Sequence, residues 1–193
     1  MAKNAVSQEY KDFIQAVSDG SPGNFYIFYG PERYLLEFYL TKLRSVLVPE
    51  GLDEFNYRRF EGKGLTVPKL IDAVDSLPVF STRTFIEIHD YDIFSQPADI
   101  TEKLLALLSD LPDYVCLVFS YDTVEFKPDK RLKAVKSLLS KASCVEFAHQ
   151  EEKKVVRWIL NHIKSHGKTM SVQDGEYMCM LTGGDMTTLN TEI

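Results

Sequence analysis

Cysteine, positive charge and long apolar runs are all scarce in this chain of 193 residues. Its three cysteines, Cys116, Cys144 and Cys179, are odd in number and far apart. They offer no disulfide framework and no C-x-x-C pair, and they read as reduced thiols in a cytoplasmic protein. Lys and Arg total 22 against 28 Asp and Glu, a net charge of −6. A protein whose main surface grips nucleic acid is normally basic, so this chain is not organised around DNA, although a local patch can still touch it. No stretch reaches the roughly 18 apolar residues of a membrane helix. The opening Met1-Ala2-Lys3-Asn4-Ala5 lacks an apolar segment, which argues against secretion. No G-x-S-x-G elbow, H-E-x-x-H helix or G-x-G-x-x-G turn occurs, which removes the sequence grounds for an α/β-hydrolase, a zinc protease or a Rossmann enzyme.

What is present is an ordinary globular composition, 45% hydrophobic and 26% charged, able to bury a real core. The length fits one domain or one and a half. Phe25-Tyr26-Ile27-Phe28-Tyr29 is a continuous apolar and aromatic run that stops at Gly30-Pro31-Glu32-Arg33, and a helical pattern begins at Tyr34. A buried strand feeding a glycine turn that opens a helix is the layout of a P-loop. The G-x-x-x-x-G-K-[ST] residues that would hold a nucleotide are nevertheless missing. Glu32 and Arg33 stand where the glycines, lysine and hydroxyl belong, and a carboxylate there repels phosphates.

Strand and helix patterns alternate from about 24 to 147. Val6, Tyr10, Phe13, Ile14 and Val17 predict an opening amphipathic helix, and 35–47 a second. Phe55 to Phe60 alternates and predicts a strand. Val67, Leu70, Ile71, Val74 and Leu77 mark a third helix with Pro68 in its first turn. Strands are predicted over 84–89, 114–119 and 143–147, with a leucine-rich helix at 104–111 and a basic one over 130–141. Such alternation is the signature of a parallel sheet flanked by helices. After His149 there is no strand pattern. Val155, Val156, Trp158, Ile159 and Ile163 form one helix, Tyr177 to Leu181 a second, and Asp185 is placed to cap a third. That last helix runs to Ile193 without a stop signal, so a cut piece of a longer chain is expected.

Several polar groups invite chemistry. His162 and His166 have the i, i+4 spacing of metal ligands but no third ligand, and a solvated helix face accounts for them. Asp90 and Asp92 leave a strand where an ATPase holds magnesium; without a P-loop lysine they read as solvated strand-end carboxylates. Lys127, Lys130, Arg131, Lys133 and Lys136 form a basic cluster, either a solvated face or a contact for phosphate or an acidic partner. The third helix is expected to end near Leu77-Pro78-Val79-Phe80-Ser81, because Pro78 disfavours helical geometry at Leu77, which leaves Val79 and Phe80 on a turn between helix and strand. Val79 and Phe80 either fold back into the core, the default for apolar side chains, or project as an anchor for a partner's pocket.

Four of these segments together resemble the delta subunit family of the bacterial DNA polymerase III clamp loader. The carriers are Phe25 to Glu32 with its G-x-E turn, Asp53-Glu54-Phe55-Asn56, Leu77-Pro78-Val79-Phe80-Ser81-Thr82-Arg83, and Leu181-Thr182-Gly183-Gly184-Asp185 running on to Leu189. The resemblance spans nearly the whole chain. It implies an α/β, AAA+-like P-loop-type parallel sheet over 1–148 that has lost ATP binding, a small all-helical lid over 149–193, and a missing helical collar. It implies a non-catalytic polymerase III holoenzyme subunit with no cofactor. Such a subunit binds the ring-shaped sliding clamp (the beta subunit) and opens one interface for loading onto primed DNA, beside the gamma/tau and delta prime subunits. The family's clamp wedge maps onto Val79 and Phe80, with Leu77 assisting. Delta prime itself usually carries zinc-binding cysteines, and no such cluster exists here. A divergent P-loop phosphotransferase using Glu32 and Arg33 is the alternative from another class.

Overall fold

The computed structural model describes residues 7–193. A period of two in the strands builds the architecture. Strands β1 (Phe25–Tyr29), β2 (Tyr57–Glu61), β3 (Thr84–His89), β4 (Val115–Ser120) and β5 (Ser143–Glu146) form one parallel sheet in the order β2-β3-β4-β1-β5. Alternate side chains leave opposite faces. Ile27, Ile86, Ile88, Leu117 and Phe119 enter one core, while Tyr26, Phe28, Phe85, Cys116 and Val118 enter the other. Both faces are covered, as apolar parallel strands require.

The first core is closed by α4 (Val67–Asp75), α5 (Ala98–Ser109) and α6 (Lys133–Lys141), which contribute Leu70, Val74, Leu104, Leu108 and Leu138. The second is closed by α1 (Gln8–Ser18) and α2 (Arg33–Leu47). It continues into α7 (Glu152–Ser165), α8 (Val172–Leu181) and α9 (Met186–Glu192), whose Val155, Ile159, Cys179 and Leu189 join the same apolar cluster as Phe28 and Phe147. Ser7, Ser171 and Asp185 cap α1, α8 and α9 by accepting main-chain N–H groups of the first turns. Cys116 is wholly buried in β4, and burial pushes its thiol up to about 12, against a small opposing pull from Arg83. It is therefore inert at neutral pH.

The structure departs from the sequence-based expectation at three places. The run from Phe55 is not one strand: α3 (Asp53–Asn56) is a single helical turn, and β2 begins only at Tyr57. The third helix stops at Asp75, so Leu77 lies beyond it and is 70% exposed rather than on its apolar stripe. The basic helix begins at Lys133, not Lys130. Ahead of it Arg131 is held by the Asp129 carboxylate, and Lys127 pairs with Glu125 at 2.6 Å. Val6 of the first predicted helix lies outside the described residues.

One glycine fixes how the first strand leaves the sheet. Gly30 has φ 127°, a region that L side chains rarely adopt, and a Cβ there would press on the Phe147 main chain, with its N 2.8 Å away. The amide of Glu32 donates to the Phe147 carbonyl at 2.9 Å, so the close approach is itself part of the structure. Gly30→Ala is expected to lower unfolding free energy by more than about 2 kcal/mol, read as a reduced urea midpoint at unchanged slope.

Candidate functional site

A parallel sheet has two unlike ends. The segments that follow β1, β3, β4 and β5 carry Glu32, Asp90, Asp122 and His149 to the C-terminal end, where open α/β sheets bind ligands. There a cleft of about 620 Å³ lies between the Pro31–Arg33 turn, the start of α7 and the Gly183-Gly184-Asp185 turn. Gly183 and Gly184 have φ 62° and 77°, which turns the chain from α8 into the N-cap Asp185 of α9.

The polar groups of this end are bonded to one another. Glu32 is buried at the head of α2, and its Oε2 lies 3.3 Å from Nδ1 of His149. Burial raises the Glu32 pKa, and the His149 contact offsets this in part. Arg33 pairs with the Asp122 carboxylate and donates to the Asp122 carbonyl at 3.2 Å. Asp90 is not the solvated strand-end carboxylate expected from sequence. It accepts the main-chain N–H of Asp122 at 2.7 Å, of Thr123 at 3.0 Å and of Val124 at 3.2 Å, and also the Thr123 hydroxyl. Burial alone would raise its pKa, but these donors outweigh it and hold the carboxyl down at about 2. Asp92 likewise accepts the N–H groups of Phe94 and Ser95 at 3.0 and 3.2 Å. The turn after β1 and the carboxylates after β3 are thus tied into internal contacts. His162 stacks on Trp158, and His166 Nδ1 lies 2.9 Å from the His162 carbonyl at the end of α7, a helix-terminal arrangement.

The opposite end of the sheet is built differently. Residues 76–83 join α4 to β3, and the core reading fails here for Phe80. Phe80 is 90% exposed, with φ 50°, a left-handed conformation uncommon for a bulky residue. Val79 is half-buried. The loop is braced on both sides of Phe80. Before it, the fully buried Asn56 side chain accepts the Val79 N–H at 2.8 Å and donates to the Val79 carbonyl at 2.8 Å. After it, the Arg83 guanidinium donates to the carbonyls of Pro22, Gly23 and Val115 and to Asn24 Oδ1. Ser81 Oγ donates to the Arg83 carbonyl at 3.1 Å. Leu77 and Phe80, with Phe55 of α3 at 50% exposure, leave large apolar side chains in water around a fixed backbone.

Leu77, Val79 and Phe80 therefore share one loop. Each of the four segments of the resemblance also has a structural part to play, as the Gly30 turn, the Asn56 brace, the Phe80 loop with its Arg83 anchor, and the turn into α9. Residues 26–148, more than half of the chain, match the family "DNA polymerase III, delta subunit". The chain belongs to that family. A DNA polymerase III subunit delta of Bacillus subtilis (strain 168) is 22% identical over 187 residues, which cover 94% of this chain and 54% of that protein. Among solved structures, a DNA clamp loader delta protein of Bacillus subtilis superposes with a TM-score of 0.71 at 20% identity, covering 95% of this chain and 55% of that one. A DNA polymerase III gamma subunit-related protein of Thermotoga maritima reaches 0.51 at 13% identity over 89% of this chain and 58% of its own, and RuvB of the same organism 0.50 at 14% over 90% and 56%. These likenesses place the fold in the AAA+-like class. The chain spans about half the length of the relatives it matches.

Two residues that brace this loop of the delta-family chain are not singled out by the sequence. Asn56 falls in a predicted strand, and Arg83 appears only as the end of a motif. Asn is a poor strand former, which is the signal that the run breaks before Tyr57. Among the described residues, no helix is long and apolar enough to cross a membrane.

The Asp90 network gives a pH signature. A carboxyl whose folded pKa lies below its unfolded value adds stability at higher pH, and this is lost as pH falls through the folded value. Asp90→Asn is expected to lower stability by about 1–2 kcal/mol at pH 7, and the gap to wild type should narrow between about pH 4 and pH 2. Urea melts across that range measure it; a gap independent of pH would contradict this role for Asp90.

Proposed function

We propose that this chain is the clamp-binding part of a clamp-loader delta subunit, with Phe80 as principal anchor and Val79 and Leu77 beside it. The observation that carries this reading is a phenylalanine held almost wholly in water on a backbone braced at both sides. Apolar surface fixed outside the core marks a binding site, and one or two aromatic anchors dominate such interfaces. The ligand is a sliding clamp ring. Residues 1–148 form the binding unit and 149–193 a helical lid. In the assembly it acts beside gamma/tau and delta prime subunits to load the clamp onto primed DNA.

The role is mechanical, non-enzymatic and cytoplasmic. A subunit without its own hydrolysis opens a ring only by holding the open form more tightly than the closed one. The cleft at the other end supports this division of labour. Glu32 sets a buried carboxylate where phosphates would sit, and Arg33 is paired with Asp122 rather than free for a phosphate.

Calorimetry of the full-length protein with its sliding clamp tests the reading. Burying Phe80 is worth about 1.5–3 kcal/mol, so Phe80→Ala is expected to weaken binding about ten- to a hundredfold while leaving the unfolding temperature unchanged. Undiminished binding by a folded Phe80→Ala variant would refute it. A divergent P-loop phosphotransferase makes the opposite prediction for nucleotide. Magnesium and ATP at millimolar concentration should leave the melting temperature where it is, and a concentration-dependent rise would favour the phosphotransferase.

A further inference from the structure

We propose that Asn56 is a positioning residue for the docking loop: its amide presets the backbone from which Phe80 projects. This rests on the docking role proposed for Phe80. Asn56 lies 23 positions from Val79 in sequence and is fully buried, yet both hydrogen bonds at 2.8 Å go to the main chain of that one residue. The amide meets Val79 as a neighbouring strand would, Oδ1 accepting the N–H and Nδ2 donating to the carbonyl. Only one orientation of the amide satisfies both. A remaining Nδ2 proton faces the Leu52 carbonyl at 3.4 Å, tying the amide to the turn that precedes α3.

Three features make this more than a core contact. The pairing ends at Val79, one residue before the strained φ of 50° at Phe80, so it fixes the direction in which the chain enters the left-handed residue. The two flanks of Phe80 are also braced by different groups. Pro78 has no N–H to give, Asn56 holds the near side, and Ser81 and Arg83 brace the far side. Finally, a buried amide that loses its partners is heavily penalised, so the loop cannot move away from Asn56 without exposing it. The loop is held in one shape before any partner arrives, and association then orders fewer degrees of freedom.

A double-mutant cycle in the full-length protein, with the purified sliding clamp as probe, separates positioning from general stability. Asn56→Ala is expected to weaken clamp binding about tenfold. In the Phe80→Ala background the same change should weaken it less than about threefold. The coupling in this cycle is the readout that a merely structural role would not move, and hydrogen exchange localises the change: the Val79 amide should exchange faster in Asn56→Ala while the amides of β1 and β4 keep their protection. Equal losses in both backgrounds, or an unchanged Val79 amide, would overturn the proposal. A loss with Phe80→Ala and none with Asn56→Ala overturns it alone; no loss with Phe80→Ala removes the docking reading and this inference with it. If Asn56→Ala does not fold, Asn56→Asp carries the test. It keeps size and the acceptor for the Val79 N–H but gives up the donor to the Val79 carbonyl. Binding equal to wild type would again overturn the proposal.

Discussion

Because all five strands run the same way, every loop that follows a strand is gathered at one end of the sheet and every loop that precedes one at the other. The rest of the molecule depends on that polarity. The C-terminal end inherits the geometry of a nucleotide site, with a glycine turn, strand-end carboxylates and a helical cover across a cleft. The N-terminal end inherits only short connections, yet there the chain places its most exposed aromatic residue. Two sites on opposite ends of one rigid sheet can differ in chemistry without interfering, because neither borrows a residue from the other.

At the cleft end, charged groups satisfy one another. Asp90 gathers the donors of the turn after β4, Arg33 pairs with Asp122 of the same turn, and Glu32 leans on His149. Each of these groups would be expensive to bury alone, and together they knit strand ends, α2 and the segment after β5 into one body. At the other end the logic is reversed. The Phe80 ring stands in water, so its placement depends on main-chain contacts on either side of it. Arg83 is well suited to supply them, since a planar guanidinium can reach several carbonyls at once, and here it ties together the segment ahead of β1 and the start of β4.

Most of the architecture was legible in the sequence because the central strands β1, β3 and β4 are short, apolar runs. The 84–89 run is a strand over those very residues, and the change of character at His149 falls just past the last strand. Three features were not legible, for one shared reason: tertiary hydrogen bonds overrode local pattern. Asn56 interrupts an alternating run because its amide is taken by Val79. Asp90 is withdrawn from solvent by a turn 32 residues away. Phe80 has the composition of a core residue, and the braces at Asn56 and Arg83 on either side of it explain how it is held outside while Val79 stays half-buried. The place of Val79 and Phe80 on a turn between helix and strand followed from Pro78, whereas Leu77 was expected on the helix and lies past its end. The residues left open whether Phe80 turns inward or projects, and the family resemblance favoured the projecting arrangement that its exposure bears out.

The most direct test of the central claim asks which end of the sheet meets the clamp. Hydrogen exchange of the full-length protein, free and bound to its sliding clamp, reports this at the level of main-chain amides. The account predicts that clamp binding slows exchange over residues 76–83 and the adjoining α3 turn, and leaves the turn at 31–33 and the start of α7 unchanged. Protection confined to the cleft segments, with the Phe80 loop exchanging as freely as before, would contradict it.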